Sequence, residues 1–207
     1  MDAHEYYQSL ATEIDRVYHA HPKSNDQREA YPWLTGALGD PFAGIWFLAE
    51  QPSLLRMEHA SKRDELSPET QWSESEGDLL FRRMLVKHGF KDGTVDSPGG
   101  WKCYITNVIK EPDYVKHWHA RTPEERNYVL NIWSSVLRWE LEKSKPRFVV
   151  LLGKKIEEHT KFLRRNGLIR LPETITIHHY SYIGSYPEGN LPPMHPERIP
   201  INIIKEI

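Results

Sequence analysis

The sequence predicts an α/β protein, a three-layer α/β/α sandwich with a central, four-stranded and mostly parallel sheet. Three observations predict this fold class. Continuous apolar runs of strand length recur along the chain, amphipathic segments of helical length separate them, and Gly or Pro follows most of the runs. A strand that is buried on both faces has an unbroken apolar sequence, so this alternation indicates a parallel sheet that helices cover on both sides.

Four segments have the composition of buried strands. They are residues 44–50, 104–109, 148–152 and 174–178. Pro52 stops the first run, Pro112 lies just beyond the second, and Gly153 turns the third into a helix. We therefore expect four strands in one sheet.

Two helices are predicted before the second strand. The first covers residues 5–20, and the second covers residues 79–87 and ends at Gly89. The inward-facing residues are Tyr6, Leu10, Ile14 and Val17 in the first helix and Leu80, Met84 and Leu85 in the second. Between these helices, residues 59–76 are polar and lack periodicity, which predicts a surface segment.

The clearest helix start lies at Thr122. Thr122 can cap the helix, Pro123 suits its first position, and Glu125 completes a capping box. The apolar stripe of this helix consists of Leu130, Trp133, Leu137 and Leu141. The helix after Gly153 carries a basic cluster made of Lys154, Lys155, Lys161, Arg164 and Arg165. Such a run of charge is either a solvated face or a surface that contacts DNA.

The composition favours one globular domain spanning residues 1–207. Hydrophobic residues make up 39% and charged residues 27%, which excludes a disordered chain. A formal net charge of -2 means that DNA binding would need a local basic face. The single cysteine, Cys103, excludes a disulfide and a cysteine-held cluster within the chain. Because the first 20 residues are amphipathic and no apolar run reaches ~18 residues, we expect a cytoplasmic or nucleoid-associated protein with no membrane span. A monomer is the expected state, although no feature of the sequence fixes it.

Polar groups collect where the predicted strands end. In parallel sheets, ligands bind outside the carboxyl ends of the strands. The residues at these positions are Glu50, Gln51, Pro52, Asn107, Gly153, Lys154, His178 and His179. They are the candidates for a binding or catalytic site.

Five short segments between residues 44 and 183 carry a family resemblance. They are Ala-Glu-Gln-Pro-Ser at 49–53, Thr-Asn-Val-Ile-Lys at 106–110, Thr-Pro-Glu-Glu at 122–125, Leu-Leu-Gly at 151–153 and His-Tyr-Ser at 179–181. In this order they resemble the iron–sulfur-type members of the uracil-DNA glycosylase superfamily, whose first two motifs are Gly-Glu-Ala-Pro-Gly and Thr-Asn-Val-Val-Lys. Trp72 matches an aromatic residue that stacks on uracil in those enzymes. The resemblance implies their four-stranded fold and an enzyme that cuts a damaged base from DNA.

The sequence departs from that family pattern in several places. Glu111 stands where the relatives have a cluster cysteine, so the resemblance implies a relative without the cluster and without a cofactor. Ala49 and Ser53 replace both glycines of the first motif, and Tyr180 replaces the proline after the histidine. Residues 54–58 offer no counterpart to the group that excludes thymine in the relatives.

The candidate residues fit the chemistry of N-glycosidic bond cleavage, which builds positive charge on the sugar and negative charge on the base. His179 is the candidate donor to the base oxygen, since a preorganised donor acts where charge develops. Glu50 is the candidate to orient a water and favour the cationic sugar. Asn107 is the candidate reader of the base, because one amide can accept from uracil N3–H and donate to O4.

Further residues complete the predicted site. The substrate-binding candidates are Gln51, Pro52, Ser53 and Trp72, of which Trp72 would stack on a base flipped out of the duplex. The DNA-binding candidates are Ser181, Lys154 and Lys155. Residues 182–194, rich in Pro, Gly and Tyr, are the candidate loop that fills the gap left by the flipped base.

Each candidate also has a purely structural interpretation. Glu50 could cap the turn that follows it, Asn107 could form a turn, and Trp72 could plug the edge of the core. His195, which precedes a proline as the family histidine does, is a rival to His179. These alternatives stay open at the level of the sequence.

Two other functions also stay open. The altered glycines and Tyr180 are compatible with a non-catalytic DNA-binding protein of the same fold. A metal-dependent hydrolase could use His117, His119 and His178. The pair His117 and His119 has the spacing of two metal ligands on an extended segment. Two ligands without a third are a weak signal of a metal site, so we expect a solvated or phosphate-facing loop there.

Overall fold

The computed structural model describes residues 1–21, 31, 34–61, 76–97 and 99–179. The helices in this part of the chain are α1 (Ala3–Ala20), α2 (Leu54–Ser61), α3 (Glu76–Lys87), α4 (Val115–Ala120), α5 (Pro123–Ser144) and α6 (Lys154–Arg165). The strands are β1 (Ala37–Gly39), β2 (Ile45–Ala49), β3 (Tyr104–Asn107), β4 (Phe148–Leu152) and β5 (Glu173–Ile177). None of the helices described is both long enough and apolar enough to cross a membrane.

The five strands form one sheet in the order β1-β3-β2-β4-β5. The four strands predicted from the sequence run parallel to one another, which confirms the parallel sheet. The predicted strand number of four is wrong by one, because β1 adds an antiparallel edge strand beside β3. With only three residues, β1 is too short to show a period of hydrophobicity.

The two faces of the sheet are covered by different helices, which confirms the three layers. Trp46 and Leu48 of β2 pack into a core shared with α1, α5 and α6. Ile45 and Phe47 of the same strand pack into a second core shared with α3. Successive side chains of a strand point to opposite faces, so both faces of β2 are apolar because both are buried.

The helix predictions hold in most details. Asp2 and Glu5 form a capping box at the start of α1, and Thr122 and Glu125 form one at the start of α5. The predicted apolar stripes of α1 and α5 are buried. In α3 the inward prediction for Leu80 is wrong. Leu80 is half-buried, and its neighbour Phe81 is the fully buried residue that packs against the sheet.

The short helix α4 corrects a second prediction. The extended loop expected at His117 and His119 is wrong, because both residues lie in α4. Its six residues span less than two turns, too few for a helical period to appear in the sequence. Trp118, between the two histidines, is buried and joins the core of α1, α5 and α6.

A buried ion pair joins α5 to the end of β3. Lys110 Nζ lies 2.8 Å from Glu140 Oε2, and both side chains are fully buried. Glu140 Oε1 accepts hydrogen bonds of 2.8 Å from Tyr104 and from Thr106, and Lys110 also donates to Thr106. The network thus ties residues on both sides of Asn107 to Glu140, near the C-terminal end of α5.

We predict that Lys110→Met lowers the free energy of unfolding by about 3–5 kcal/mol, because it leaves the Glu140 carboxylate buried without its countercharge. Urea denaturation followed by circular dichroism measures the change. The double variant Lys110→Met/Glu140→Leu removes both charges and should recover part of the loss. A single-variant loss of only about 1 kcal/mol, as for an exposed pair, would contradict the prediction.

Candidate active site at the carboxyl edge of the sheet

The parallel register brings the predicted site residues to one edge of the sheet. Asn107 pairs with Ala49, so Glu50 follows directly beside Asn107. The last residues of β4 and β5, Leu152 and Ile177, are also paired. The segments that carry Glu50, Asn107, Gly153 and His179 therefore leave the sheet at the same edge.

The Asn107 side chain is held in one orientation by a backbone carbonyl. Its Nδ2 donates a 2.7 Å hydrogen bond to the carbonyl oxygen of Gly36. Because a carbonyl can only accept, it fixes which end of the amide carries the NH₂ group. The Oδ1 atom and the second N–H of Asn107 are then an acceptor and a donor of known placement.

Gly36 permits this contact because it has no side chain. Its φ of 61° lies in the left-handed region, and a Cβ added there would lie 3.1 Å from Asn107 Nδ2 and 3.3 Å from Pro52 Cγ. A methyl group would therefore press on the amide and on the turn after β2. The contact also places Pro52 beside Asn107.

The turn after β2 is tied to the segment after β3. Ser53 bridges to Asp113, the Leu54 amide donates to the Asp113 carbonyl at 3.1 Å, and the Asp113 amide donates to the Pro52 carbonyl at 3.2 Å. Gln51, Pro52 and Ser53 are all half-buried. Their backbone is thus fixed next to Asn107, while their side chains stay accessible at the edge.

The Glu50 carboxylate is bound by two helices. Its Oε1 accepts a 2.8 Å hydrogen bond from Trp118 Nε1 in α4 and a 2.7 Å hydrogen bond from His159 Nε2 in α6. Since a carboxylate only accepts, His159 must carry its proton on Nε2. Burial opposes ionisation of Glu50, but these two hydrogen bonds, together with the positive charges of His159 and Lys155, hold the pKa of Glu50 below its usual 4.5.

His179 follows β5 and lies against the turn after β4. A Cβ added to Gly153, whose φ is 106°, would lie 3.5 Å from the His179 Cβ. Burial lowers the pKa of His179, and the negative charges of Asp78 and Glu50 only partly offset it. The lowered pKa favours an uncharged His179 imidazole at neutral pH.

The basic residues at the start of α6 border this edge. Lys154 and Lys155 come directly after Gly153 and are both exposed. Lys155 Nζ donates to His119 Nε2 of α4, and the charge of Lys155 also acts on Glu50. The rest of the predicted basic cluster, Lys161, Arg164 and Arg165, lies on later turns of α6 and farther from the edge.

Several predicted residues lie outside the described residues. They are Trp72, Tyr180, Ser181, the loop 182–194 and His195. The structure places His179 at the carboxyl edge and does not describe His195, so the choice of His179 stays a prediction.

Four residues that act on this site were not predicted from the sequence: Gly36, Trp118, His159 and Asp78. A signal for His159 was present. It lies three residues after Ile156 and four before Leu163, both of which are buried, so a histidine occupies the apolar stripe of α6. Gly36 and Asp78 have no comparable signal, because their partners Asn107 and His179 are distant in sequence.

The structure does not assemble the histidines of the metal hypothesis. His117 lies 3.9 Å from Asp113, His119 contacts Lys155, and His178 follows β5 at another element. In the portion of the chain that is described, no group of three or more His, Cys, Asp or Glu side chains could hold a metal ion.

A separate cavity of about 730 Å³ lies between the end of α1 and the start of α5. Val17, Trp133, Tyr128 and Arg121 contribute to its walls, as does Glu111, which stands where the iron–sulfur relatives have a cysteine. None of the predicted catalytic or substrate-binding residues that the structure describes lines this cavity.

The fold and this edge together define an α/β protein that carries its reactive polar groups at the carboxyl ends of parallel strands. The model of the uracil DNA glycosylase superfamily matches residues 37–199, which include the whole sheet, and the chain belongs to that superfamily. The family acts on DNA as glycosylase-type hydrolases. A search of curated proteins found no match.

We predict that Glu50→Gln destabilises the protein at neutral pH and much less in acid. Because the folded-state pKa of Glu50 is lowered, its ionisation stabilises the fold above pH 4.5, and this contribution disappears as the pH falls through the folded-state value. We expect a loss of about 1–2 kcal/mol at pH 7, measured by urea denaturation. A difference in the free energy of unfolding between Glu50→Gln and the wild type that is as large in acid as at pH 7 would contradict the prediction.

Proposed function

We propose that this chain is a monofunctional DNA glycosylase that hydrolyses the N-glycosidic bond of uracil, or of a related deaminated base, in DNA without a metal or cluster. It acts as a monomeric single domain spanning residues 1–207. One observation carries the proposal: the Asn107 amide is fixed by the Gly36 carbonyl at the strand edge that also carries Glu50 and His179.

The fixed amide of Asn107 suits the recognition of uracil. Its Oδ1 accepts from N3–H of the base, and its second Nδ2–H donates to O4. Cytosine has an acceptor at N3 and a donor at C4, so both contacts would be lost and buried polar groups left without partners. An amide that could rotate would recognise either base, and the hydrogen bond to Gly36 prevents this rotation.

His179 and Glu50 supply the charge complementarity for the reaction. The C1′–N1 bond breaks with its electron pair on the base, and a neutral His179 donates a hydrogen bond to the base oxygen that becomes negative. Glu50 stabilises the positive sugar and orients the water that adds to C1′. The low pKa of His179 supports this role, because the neutral imidazole donates a hydrogen bond without losing its proton.

The target base must leave the duplex to reach this edge. Lys154 and Lys155, exposed at the start of α6, are placed to contact the DNA backbone, and Ser181 shares this role in the proposal. Gln51, Pro52 and Ser53 border the base, and Trp72 stacks on it. A local basic face of this kind serves a protein whose formal net charge is -2.

We predict that the wild-type protein removes the base from a fluorescent oligonucleotide carrying one uracil, so that later alkali treatment breaks the strand at the abasic site. Asn107→Ala and His179→Ala should each reduce the single-turnover rate of base removal by about 10²–10³-fold. Thermal unfolding should show that both variants fold. Wild-type rates in both variants would refute the assigned roles. A mobility shift without scission by the wild type would instead identify a non-catalytic DNA-binding protein.

A substrate panel tests the base specificity. Single- and double-stranded oligonucleotides carrying uracil, hypoxanthine, xanthine, mismatched thymine or, as the control, cytosine would each be treated with the wild-type protein. The proposal expects excision of uracil or another deaminated base and none of cytosine. Equal excision of cytosine and uracil would contradict the role of Asn107.

We predict that Gly36→Ala lowers uracil excision by about tenfold or more, since the added methyl group displaces the Asn107 amide. The matched control is Gly167→Ala. Gly167 has a similar φ of 68°, but an added Cβ there meets nothing within 4 Å. Both variants should lose about 1–2 kcal/mol of stability from left-handed strain, and only Gly36→Ala should lose activity. Equal activity of the two variants would contradict the prediction.

A further inference from the structure

The two oxygens of the Glu50 carboxylate have different environments. Both hydrogen bonds from Trp118 and His159 fall on Oε1, at 2.8 and 2.7 Å. Among the residues that the structure describes, Oε2 receives no hydrogen bond. The Glu50 side chain keeps 22% of its surface accessible. Oε1 therefore anchors the carboxylate, while the Glu50 side chain stays partly accessible at the strand edge.

We propose that His159 and Trp118 are positioning residues that lock the Glu50 carboxylate, so that its negative charge meets the substrate in one fixed orientation. The inference rests on the proposed function, because it concerns how Glu50 serves base excision. It assigns to two residues outside the predicted site a direct influence on the chemical step.

The two donors are themselves held by packing. Trp118 is buried, and its ring meets the His159 ring edge-on with 5.9 Å between the ring centroids. Arg121 lies over the Trp118 ring at 5.2 Å and forms a 2.9 Å ion pair with Asp113. Asp113 is the residue that bridges to Ser53 in the turn after Glu50. The donors and the backbone of the turn after β2 thus form one connected unit, which leaves Glu50 little freedom to rotate.

The charged groups around Glu50 also favour a permanent carboxylate. The groups that lower its pKa are His159 and Lys155 from α6, while His119 from α4 and His179 after β5 are neighbouring titratable groups whose own pKa values are lowered by burial. A general base works best when its pKa lies near the working pH. The pKa of Glu50 is lowered, away from neutral pH, which makes Glu50 a weak base at neutral pH but a constant negative charge. Such a preorganised charge stabilises a transition state in which the sugar becomes positive.

The reaction balances without a proton transfer to Glu50. The C1′–N1 bond breaks, and its electron pair leaves with the base as an anion. Water held by Glu50 Oε2 adds to C1′, forms the new C–O bond and releases a proton to solvent. The departing base takes up one proton from solvent. Water and the nucleotide are thereby converted to the abasic sugar and the neutral base.

The test compares full-length variants under single-turnover conditions across a range of pH. His159→Phe removes the donor, and His159→Gln keeps an N–H that can reach Oε1. Trp118→Phe removes the indole N–H that donates to Glu50 and reduces the volume of the ring. The matched control is Trp133→Phe, which truncates another buried tryptophan that packs on Tyr18 and does not contact Glu50.

We expect His159→Phe to reduce the maximal rate by about 10²-fold with little change in the DNA concentration at half-saturation, because the interaction acts in the transition state. Its activity should also disappear at a higher pH on the acid side, since Glu50 then protonates more easily. His159→Gln should recover most of the rate, and Trp118→Phe should resemble a milder His159→Phe. Trp133→Phe should match the wild type.

Two outcomes would overturn the inference. One is a wild-type rate and pH profile in His159→Phe, and the other is an equal loss in His159→Gln and His159→Phe. A direct readout separates this inference from the proposed function: titration of the Glu50 carboxyl carbon by NMR, with Glu50→Gln to assign the resonance. An unchanged titration in His159→Phe overturns the locking of Glu50 even if the protein removes no base. If the wild type removes no base but the Glu50 titration shifts upward in His159→Phe, the proposed function is wrong and the locking of Glu50 stands.

Discussion

The fully buried ion pair between Lys110 and Glu140 is the constraint on which the geometry of the site depends. Burying two charges costs more than an apolar pair would, so such a pair is weak evidence for stability as such. What it provides here is position. Glu140 accepts from Thr106, and Lys110 donates to the same hydroxyl, so Asn107 lies between two residues that are tied to one point of α5. An apolar replacement could fill the space but could not fix this register.

At the carboxyl edge of the sheet, backbone segments from different elements approach one another closely, and this brings the candidate site residues together. The Gly36 carbonyl reaches the Asn107 amide because no side chain intervenes, and His179 packs beside Gly153 in the turn after β4. The neighbouring strand contributes Glu50, which two helices then hold. The strands fix the backbone position of each polar residue, and contacts from outside the sheet fix the orientation of its side chain. Preorganisation of this kind is what electrostatic catalysis requires.

The sequence predicts those parts of the protein that depend on local periodicity. The parallel strands, the stripes of α1 and α5 and the strand-end positions of Glu50, Asn107 and His179 all follow from hydrophobic runs and the turn formers that end them. The edge strand β1 and the helix α4 were missed because three and six residues are too few to show a period. The partners of the site residues were missed for another reason. Gly36 and His159 are separated from Asn107 and Glu50 by 71 and 109 positions, so no local pattern connects them.

In the proposed function, helix α6 serves both DNA binding and the positioning of Glu50. Its first turn exposes Lys154 and Lys155 at the edge, while His159, one turn later and on the inner side, holds Glu50. The charge of Lys155 also acts on Glu50. Any shift of α6 along the sheet would therefore move the basic groups and the carboxylate anchor together. The close packing of Ile156 and Leu163 into the core opposes such a shift, so the alignment of the proposed DNA contacts with the proposed catalytic groups depends on ordinary apolar burial.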